Sequence, residues 1–423
     1  MPGRAALDGT DTADSWAVEY ARDHVAHLAV VAVLAVYPGI HHALVNSPVG
    51  AEATMLLPRV ETMVPVLYFA LFAMSFDFIS GYTGYLSFGH AAFYGTGAYF
   101  VVLVTNGKVP FVPAGTPYVV LLLLAGVVAA ALALAIGAVS FRLTGVYFAM
   151  ITLGFAQVLY VLVRNWSYVG SNPRDGVFVD TTDGLNVGVP GVDALNLAIG
   201  QLTGDEVSLA FVQLSATEVS YYAVGVVVLG CYFAMQRILH SPFGRVMVAI
   251  RENEERAVAV GYDTFRYKLG AFAISAFFAA VAGGLLAGYQ RSVSPEESFY
   301  FLVAGDALLA AIIGGFGTLA GPLYGHLFSE TIKEFLSKAA SGGGLLPYLR
   351  EHLGEGLLTT ELYGGMTVGT SIETFLNGHA SLYVGALFVL FVLFVPNGLL
   401  GTVRDRLGGP VAKRLPAHVR RYL

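Results

Sequence analysis

The sequence predicts an all-α fold, a polytopic bundle of transmembrane helices crossing a bilayer about ten times, with a glycine-rich break in the pore region. Three observations predict it. Hydrophobic residues make up 56% of the 423 positions and charged residues only 12%, against about 25% charged in a soluble domain. One soluble core cannot hide that much apolar surface, because cores stop growing near ~250–300 residues. The apolar residues also lie in runs of about 20, the length that crosses ~30 Å of hydrocarbon at ~1.5 Å per residue. They do not form the ~10-residue alternating segments of a membrane barrel. An ordinary soluble enzyme is therefore excluded, and so is disorder, since aromatics reach 13%.

The elements follow in order. Residues 1–23 carry Asp8, Asp11, Asp14, Glu19 and Asp23 and read as a polar cytoplasmic tail. A secretory leader would be basic there. The membrane domain covers 24–400, with expected spans at 24–44, 61–80, 88–105, 117–140, 145–164, 219–238, 268–289, 301–316, 318–338 and 380–396. Lipid offers no partner to free backbone groups, so runs of this length must be helices. Residues 239–267 hold Arg245, Arg251, Arg256 and Arg266, and the tail 401–423 holds Arg404, Arg406, Lys413, Arg414, Arg420 and Arg421. The positive-inside bias places both in the cytoplasm, and with them both termini. The polar segments 165–218 and 339–378 then fall outside. The single cysteine, Cys231, allows no internal disulfide and no cysteine metal site.

Three segments stand out for function. The first is Gly81-Tyr82-Thr83-Gly84-Tyr85-Leu86-Ser87-Phe88-Gly89-His90, a cluster of small and hydroxyl residues between two apolar runs. Irregular backbone at that depth is tolerated where protein or a water-filled cavity surrounds it. Close helix packing through small residues explains the same composition. The second runs from Ser241 to Gly261. Ser241 suits a cap and Pro242 a first turn. Val246, Ala249, Ile250, Ala257 and Val260 oppose the polar stretch Arg251–Arg256, giving a short amphipathic helix that Gly261 ends in a left-handed turn. Such a helix docks on a cytoplasmic partner or lies on lipid. The third, Gly314-Gly315-Phe316-Gly317-Thr318-Leu319-Ala320-Gly321-Pro322, repeats the G-x-x-G-x-L spacing of Gly81, Gly84 and Leu86. That repeat is either a faint internal duplication, as transporters often contain, or coincidence in a glycine-rich chain. Asp77 lies in the second span. A charge at the bilayer centre costs roughly 2.5–3.5 kcal/mol on insertion scales, so Asp77 should face protein or water. Its candidate partners are Tyr82, Ser87, His90 or the backbone amides of Gly81–Gly89. No Walker motif, metal-ligand pair or nucleophile arrangement is present, so no catalytic residue, metal or cofactor is expected, and no nucleic-acid partner.

Together with Gly145–Phe155, Ser294-Pro295 and Val395–Gly401, these segments resemble the membrane permease subunit of branched-chain amino acid ABC importers, the second of the two Liv-type permeases. The likeness runs from about residue 61 to 401, in order. Any one motif is weak; five in sequence are strong. In that family the cytoplasmic loop engages the ATPase subunit, often through E-A-A-x-x-x-G. Here Glu255-Arg256-Ala257 with Gly261 keeps the spacing, while Arg256 replaces the first alanine. Asp77 stands where such permeases usually carry a neutral amide, and the outer insertion around 339–378 is longer than the family norm.

The resemblance implies a multi-pass subunit of the cell membrane. It pairs with a homologous permease, two cytoplasmic ATPases and an extracytoplasmic substrate-binding protein. Hydrolysis of ATP belongs to the partners, so this chain is not itself an enzyme. The cargo is leucine, isoleucine or valine; urea and short amides use closely similar permeases. Arg251, Glu252, Glu255 and Gly261 are the candidate ATPase-coupling residues, and Asp77, Gly81, Gly84 and Gly89 form the break. An importer fed by a binding protein needs no tight internal site, so a few polar groups on apolar walls suffice. The candidate lining is Ser87, His90, Thr152, Gln157 and Asp306. Thr152 and Gln157 are five residues apart and point about 140° apart on a helix, and Thr152 can instead bond its own backbone. Two other classes compete. An ion-coupled secondary transporter would use acids within spans, here Asp77 and Asp306. A structural subunit of a redox complex would show intramembrane lysine–glutamate relays, and none is seen.

Overall fold

The computed structural model describes residues 25–45, 57–179, 212–337 and 380–395, together with the shorter pieces 186–187, 197–198, 207–209, 355–363, 366–376, 398–399 and 402. The expected polar tail 1–23 and most of the basic tail 401–423 lie outside the described residues, as do most of 165–218 beyond residue 179 and residues 339–354 of the insertion.

The described residues are mostly helical. The helices are α1 (Val25–Val45), α2 (Val60–Thr83), α3 (His90–Thr105), α4 (Tyr118–Ser140), α5 (Val146–Asn165) and α6 (Ala216–Leu239). Next come α7 (Pro242–Glu252), α8 (Glu254–Ala259), α9 (Thr264–Gln290), the single turn α10 (Pro295–Ser298), α11 (Phe301–Gly314) and α12 (Gly321–Ser337). The described remainder holds α13 (Glu355–Leu358), α14 (Val368–Leu376) and α15 (Ala380–Phe394). Strands are fragments: Val177–Phe178 pairs antiparallel with Ser292–Val293, tying the segment after α5 to the exit of α9.

Among the described residues six helices are long and apolar enough to cross a membrane, at 60–83, 118–140, 146–165, 217–239, 264–290 and 295–314. The sequence led us to expect about ten spans. The shortfall has a physical cause at two places. Residues 84–89 and 315–320 leave the helix, so the following helices α3 and α12 keep only 16 and 17 residues. At ~1.5 Å per residue they reach about 24–26 Å, short of a ~30 Å core.

Helix α2 is the axis of the packing, with 83% of its apolar window buried against 17% in α6. Around it stand α6, α9, α11 and α12, while α3 and α4 pack on α9. The α3–α9 contact is backbone to backbone. A Cβ on Gly97 would lie 2.0 Å from the Ala280 carbonyl oxygen, and one on Gly283 would lie 1.9 Å from that of Tyr94. Small residues allow this approach where lipid gives no hydrophobic drive between helices. Helix α6 starts with a full capping box in which Ser215 and Glu218 satisfy each other's backbone N–H. Glu218 also meets His42 of α1 at 2.8 Å.

Candidate functional site

The three segments singled out in the sequence meet at one end of the bundle. Helix α2 ends at Gly84, which takes a left-handed φ of 79°. Helix α11 ends at Gly314, and three residues on Gly317 takes φ 78°. A residue with a Cβ is strained in that region, so glycine is the residue both turns require. The two turns touch. A Cβ on Gly81 would lie 2.8 Å from the Gly317 Cα. The Gly317 N–H donates to Asp77 Oδ1 at 2.9 Å, and the Leu319 N–H donates to the Tyr82 hydroxyl oxygen at 3.0 Å. Asp77 therefore faces protein and is fully buried. Its partner is a backbone amide of the second glycine segment, rather than one of the first. Asp77 Oδ2 has no hydrogen-bond partner among the described residues.

The loop helices cover the turns. Ser241 caps α7, accepting from the Gly244 N–H, with Pro242 in the first turn. One continuous helix to Gly261 was expected, but Asn253 interrupts it at φ −164°, and its side chain caps α8 by accepting from the Arg256 N–H at 2.8 Å. An asparagine that bonds backbone locally competes with the helix in this way. Gly261 follows α8 at φ 100°, in the left-handed half that its position suggested. Val246, Ile250 and Ala257 pack on Tyr267, while Ala249 and Val260 are exposed.

Arg251 turns inward. Its Nη1 donates to the Gly81 carbonyl at 2.6 Å, and the guanidinium also lies beside Gly317. Glu252 and Glu255 remain exposed on the outer side of the loop. A second polar group fixes α8. Glu254 Oε1 accepts from Lys268 Nζ at 2.6 Å and from Thr264 Oγ1 at 2.9 Å, and Glu254 Oε2 accepts from the Tyr85 hydroxyl at 2.7 Å. Lys268 Nζ also donates to Tyr85 at 3.0 Å and sits 4.7 Å from its ring centroid. Burial pushes the Glu254 carboxyl up, but the bonds from Lys268, Tyr85 and Thr264 outweigh it and hold the carboxyl below its ordinary value. Glu254 and Lys268 were not among the expected site residues, and their trace in the sequence is Lys268 at the very start of an apolar run. Tyr82 and Tyr85 lie in the first glycine segment, and Tyr82, expected as a partner of Asp77, bonds the Leu319 N–H instead.

Two further motifs reach the same place. Phe148, from the Gly145–Phe155 stretch, meets Tyr85 edge to face with centroids 5.2 Å apart. A Cβ on Gly398, from the late motif, would lie 2.6 Å from the Gly315 Cα. Ser294-Pro295 is elsewhere, capping α10.

The expected lining residues do not share one surface. Ser87, His90 and Thr152 are fully buried. Thr152 Oγ1 donates to the Ala149 carbonyl of its own helix at 3.0 Å, and a Cβ on Gly89 would meet the Thr152 carbonyl oxygen at 2.5 Å. His90 Nε2 lies 3.2 Å from Ser75 Oγ and 3.1 Å from Ser275 Oγ. Both hydroxyls already donate, to the Phe72 and Ser75 carbonyls. Nε2 must then carry the ring hydrogen, which makes His90 the Nε2–H tautomer and leaves Nδ1 as an acceptor. Neither Nδ1 nor Ser87 Oγ has a partner among the described residues. Gln157 is half-buried on α5 and Asp306 is exposed on α11. An apolar cavity of about 140 Å³ opens instead between α1, α2, α6 and the start of α12, walled by Leu67, Met74, Tyr221, Val228 and Leu323. Among the described residues no group of three or more His, Cys, Asp or Glu is placed to hold a metal ion.

The structure thus brings together buried apolar helices, paired glycine turns and a loop docked across them. Residues 59–350 match the model of the family described as branched-chain amino acid transport system / permease component. The chain belongs to that family and is a multi-pass membrane protein. It is 27% identical to the high-affinity branched-chain amino acid transport system permease protein LivM of Salmonella typhimurium, over 82% of this chain and 71% of that one. It is 24% identical to the permease protein LivH of the corresponding Escherichia coli system, over 79% of this chain and 91% of that one. A 105-residue stretch is 30% identical to the probable branched-chain amino acid transport permease protein LivM of Methanocaldococcus jannaschii, covering 25% of this chain and 30% of that one. No solved structure matches.

Proposed function

We propose that this chain is one of two permease subunits of an ABC importer for branched-chain amino acids. Its partners are a homologous permease, two cytoplasmic ATPases and an extracytoplasmic binding protein. The observation that carries the reading is the loop at 239–267, whose Arg251 is bonded to the first glycine turn while Glu252 and Glu255 stay exposed. A loop built in this way has one face for the membrane domain and one for a cytoplasmic partner. Family membership and the two relatives of similar extent support the cargo class, and the apolar cavity suits an aliphatic side chain.

The membrane domain covers 24–400, with about ten crossings when α1, α15 and the short helices α3 and α12 after the glycine turns are counted with the six long ones. Both termini and the loop face the cytoplasm, and 165–218 and 339–378 lie outside. The glycine break belongs to the gate rather than to an open pore wall. Asp306 and Gln157 contribute to the wall of the pathway, and Ser87, His90 and Thr152 act from the packed interior. ATP is hydrolysed by the partners, whose closing and opening drives the alternation of this subunit.

The test is uptake by the reconstituted complex. ATP-dependent leucine uptake that excess isoleucine or valine suppresses, and urea does not, is the expected result. Gly261→Val together with Glu255→Lys should abolish substrate-stimulated ATP hydrolysis. Uptake driven by an ion gradient without ATP would overturn the reading.

A further inference from the structure

Each cytoplasmic-loop helix is tied to the first glycine turn by its own polar contact, and the second of these contacts is the more enclosed. Lys268 is 5% exposed at its side chain and Glu254 32%. Lys268 contacts Glu254, the Tyr85 hydroxyl and, at 5.7 Å, the ring of Phe141. Tyr85 follows the left-handed Gly84 directly, and Tyr82 and Asp77, just before it, hold Leu319 and Gly317. A continuous chain of bonds thus runs from α8 through Tyr85 to the first turn, and from there to the second.

We propose that Glu254, Lys268 and Tyr85 are positioning residues that lock α8 to the first glycine turn, so that displacement of the loop moves both glycine turns together. This rests on the importer reading above. Several geometric facts favour a permanent lock over a contact that opens in each cycle. Removing Glu254 leaves the Lys268 ammonium, only 5% exposed, without its carboxylate, which disfavours separation. Glu254 uses both carboxylate oxygens and accepts from three donors. The Arg251 contact is different: its guanidinium is 41% exposed, it reaches the first turn at a single carbonyl, and its Nη2 also lies 3.5 Å from exposed Glu252. The loop is therefore pinned firmly at α8 and lightly at the end of α7. A push on the exposed face of α7 or α8 reaches the turns through the pinned end.

The experiment uses the full complex with its ATPases and binding protein, in proteoliposomes, and reads ATP hydrolysed per leucine imported. Glu254→Gln and Lys268→Met should leave ATP hydrolysis within about twofold and raise that ratio tenfold or more. Tyr85→Phe, which removes one hydroxyl, should raise it about threefold. The exchange Glu254→Lys with Lys268→Glu should bring the ratio back toward the wild-type value, which a merely structural loss would not do. If the charge variants fail to assemble, Tyr85→Phe decides. A wild-type ratio in Tyr85→Phe, or in the charge variants once assembled, overturns the lock. If wild-type complex shows no ATP-driven uptake, the importer reading falls instead, so the two failures are distinct.

Discussion

In α2–α3 and again in α11–α12, a helix ends at a glycine turn whose left-handed member has nearly the same φ, 79° at Gly84 and 78° at Gly317. In both, the chain then continues as a short helix of 16 or 17 residues. The surroundings differ. The apolar window of α2 is 83% buried and the one ending in α11 is 50% buried, with Asp306 exposed on it. The first turn is bonded to the loop at Gly81 and Tyr85, and the second is bonded to α2 through Asp77 and Tyr82. One unit is thus an enclosed receiver for the loop, and the other presents a face to whatever adjoins it. A shared left-handed glycine with unequal burial says that the turning of the chain comes from the glycines and that the division of labour comes from the flanking helices.

The contact between the turns is the part of this comparison most easily broken. Gly81→Val places a Cβ 2.8 Å from Gly317 Cα and 2.4 Å from Asp77 Oδ1. Overpacking of this kind costs roughly 1–3 kcal/mol or more, and here backbone meets backbone. We expect loss of the folded subunit, read by size-exclusion profile and thermal midpoint. Gly305→Ala, on the exposed unit, meets no atom within 4 Å and should match wild type. Equal behaviour of the two variants would mean that the turns do not touch.

Asp77 joins the units next. Asp77→Ala leaves the half-buried Gly317 N–H without its acceptor, at a cost of about 1 kcal/mol or more, while Asp77→Asn keeps an acceptor and should lose much less. An Asp77→Cys probe in a Cys231→Ser background should resist both water-soluble and lipid-soluble thiol reagents, since the side chain is enclosed. Labelling by a lipid-soluble reagent alone would turn α2 the other way. On the exposed unit, Asp306→Ala should lower leucine uptake several-fold at fixed expression, and Ser87→Ala should leave it unchanged. The reverse pattern would put the pathway in the enclosed unit.

Much of this was legible before the structure, and the rest failed for one reason. Hydropathy runs located α2, α4, α5, α6 and α9 within a few residues, because a helix that must bury all its backbone bonds leaves a long apolar signature. The repeated glycine spacing marked both turns. The cost of placing a charge in lipid says that Asp77 must turn inward. It does not say which element lies opposite. The partner of Asp77 is Gly317, and Glu254 is held by Lys268 and Tyr85 across three separate elements. Glu255, chosen from a motif, is exposed while its neighbour Glu254 is tied down. Ser87, His90 and Thr152 looked like pore groups because they are polar in an apolar run, yet all three are buried: His90 lies against Ser75 and Ser275, Thr152 bonds its own helix backbone, and Ser87 Oγ has no partner among the described residues.

Strain at the turns should be equal if the two units are equivalent. Gly84→Ala and Gly317→Ala each force a left-handed residue with a Cβ, at a cost of about 1–2 kcal/mol. Each new methyl also meets Arg251, at 3.3 Å from Cγ or 3.1 Å from Nη1. The two thermal midpoints should fall together. A drop confined to Gly84→Ala would show that the enclosed unit alone is rigid enough to register the strain.

The smallest effect is that of pH on the lock at Glu254. Bonds from Lys268, Tyr85 and Thr264 hold the folded carboxyl below the ordinary value of 4.5 despite burial. A carboxyl with a depressed folded pKa stabilises fully above its unfolded pKa, and that contribution fades as pH falls through the folded value. The wild-type midpoint should therefore hold steady from neutral pH to about 4.5 and lose the Glu254 contribution below it, with Glu254→Gln lacking that component of the acid loss. The difference between the two curves isolates this one carboxyl from the other acids of the chain. Because Glu254 is about one-third exposed, solvent screens the interaction and the difference should be modest. Parallel curves down to the lowest pH at which the protein stays folded would mean that Lys268 does not hold Glu254. The receiver unit would then be joined to the loop by Arg251 alone, and the contrast between an enclosed, loop-locked turn and an exposed one would reduce to a contrast of burial.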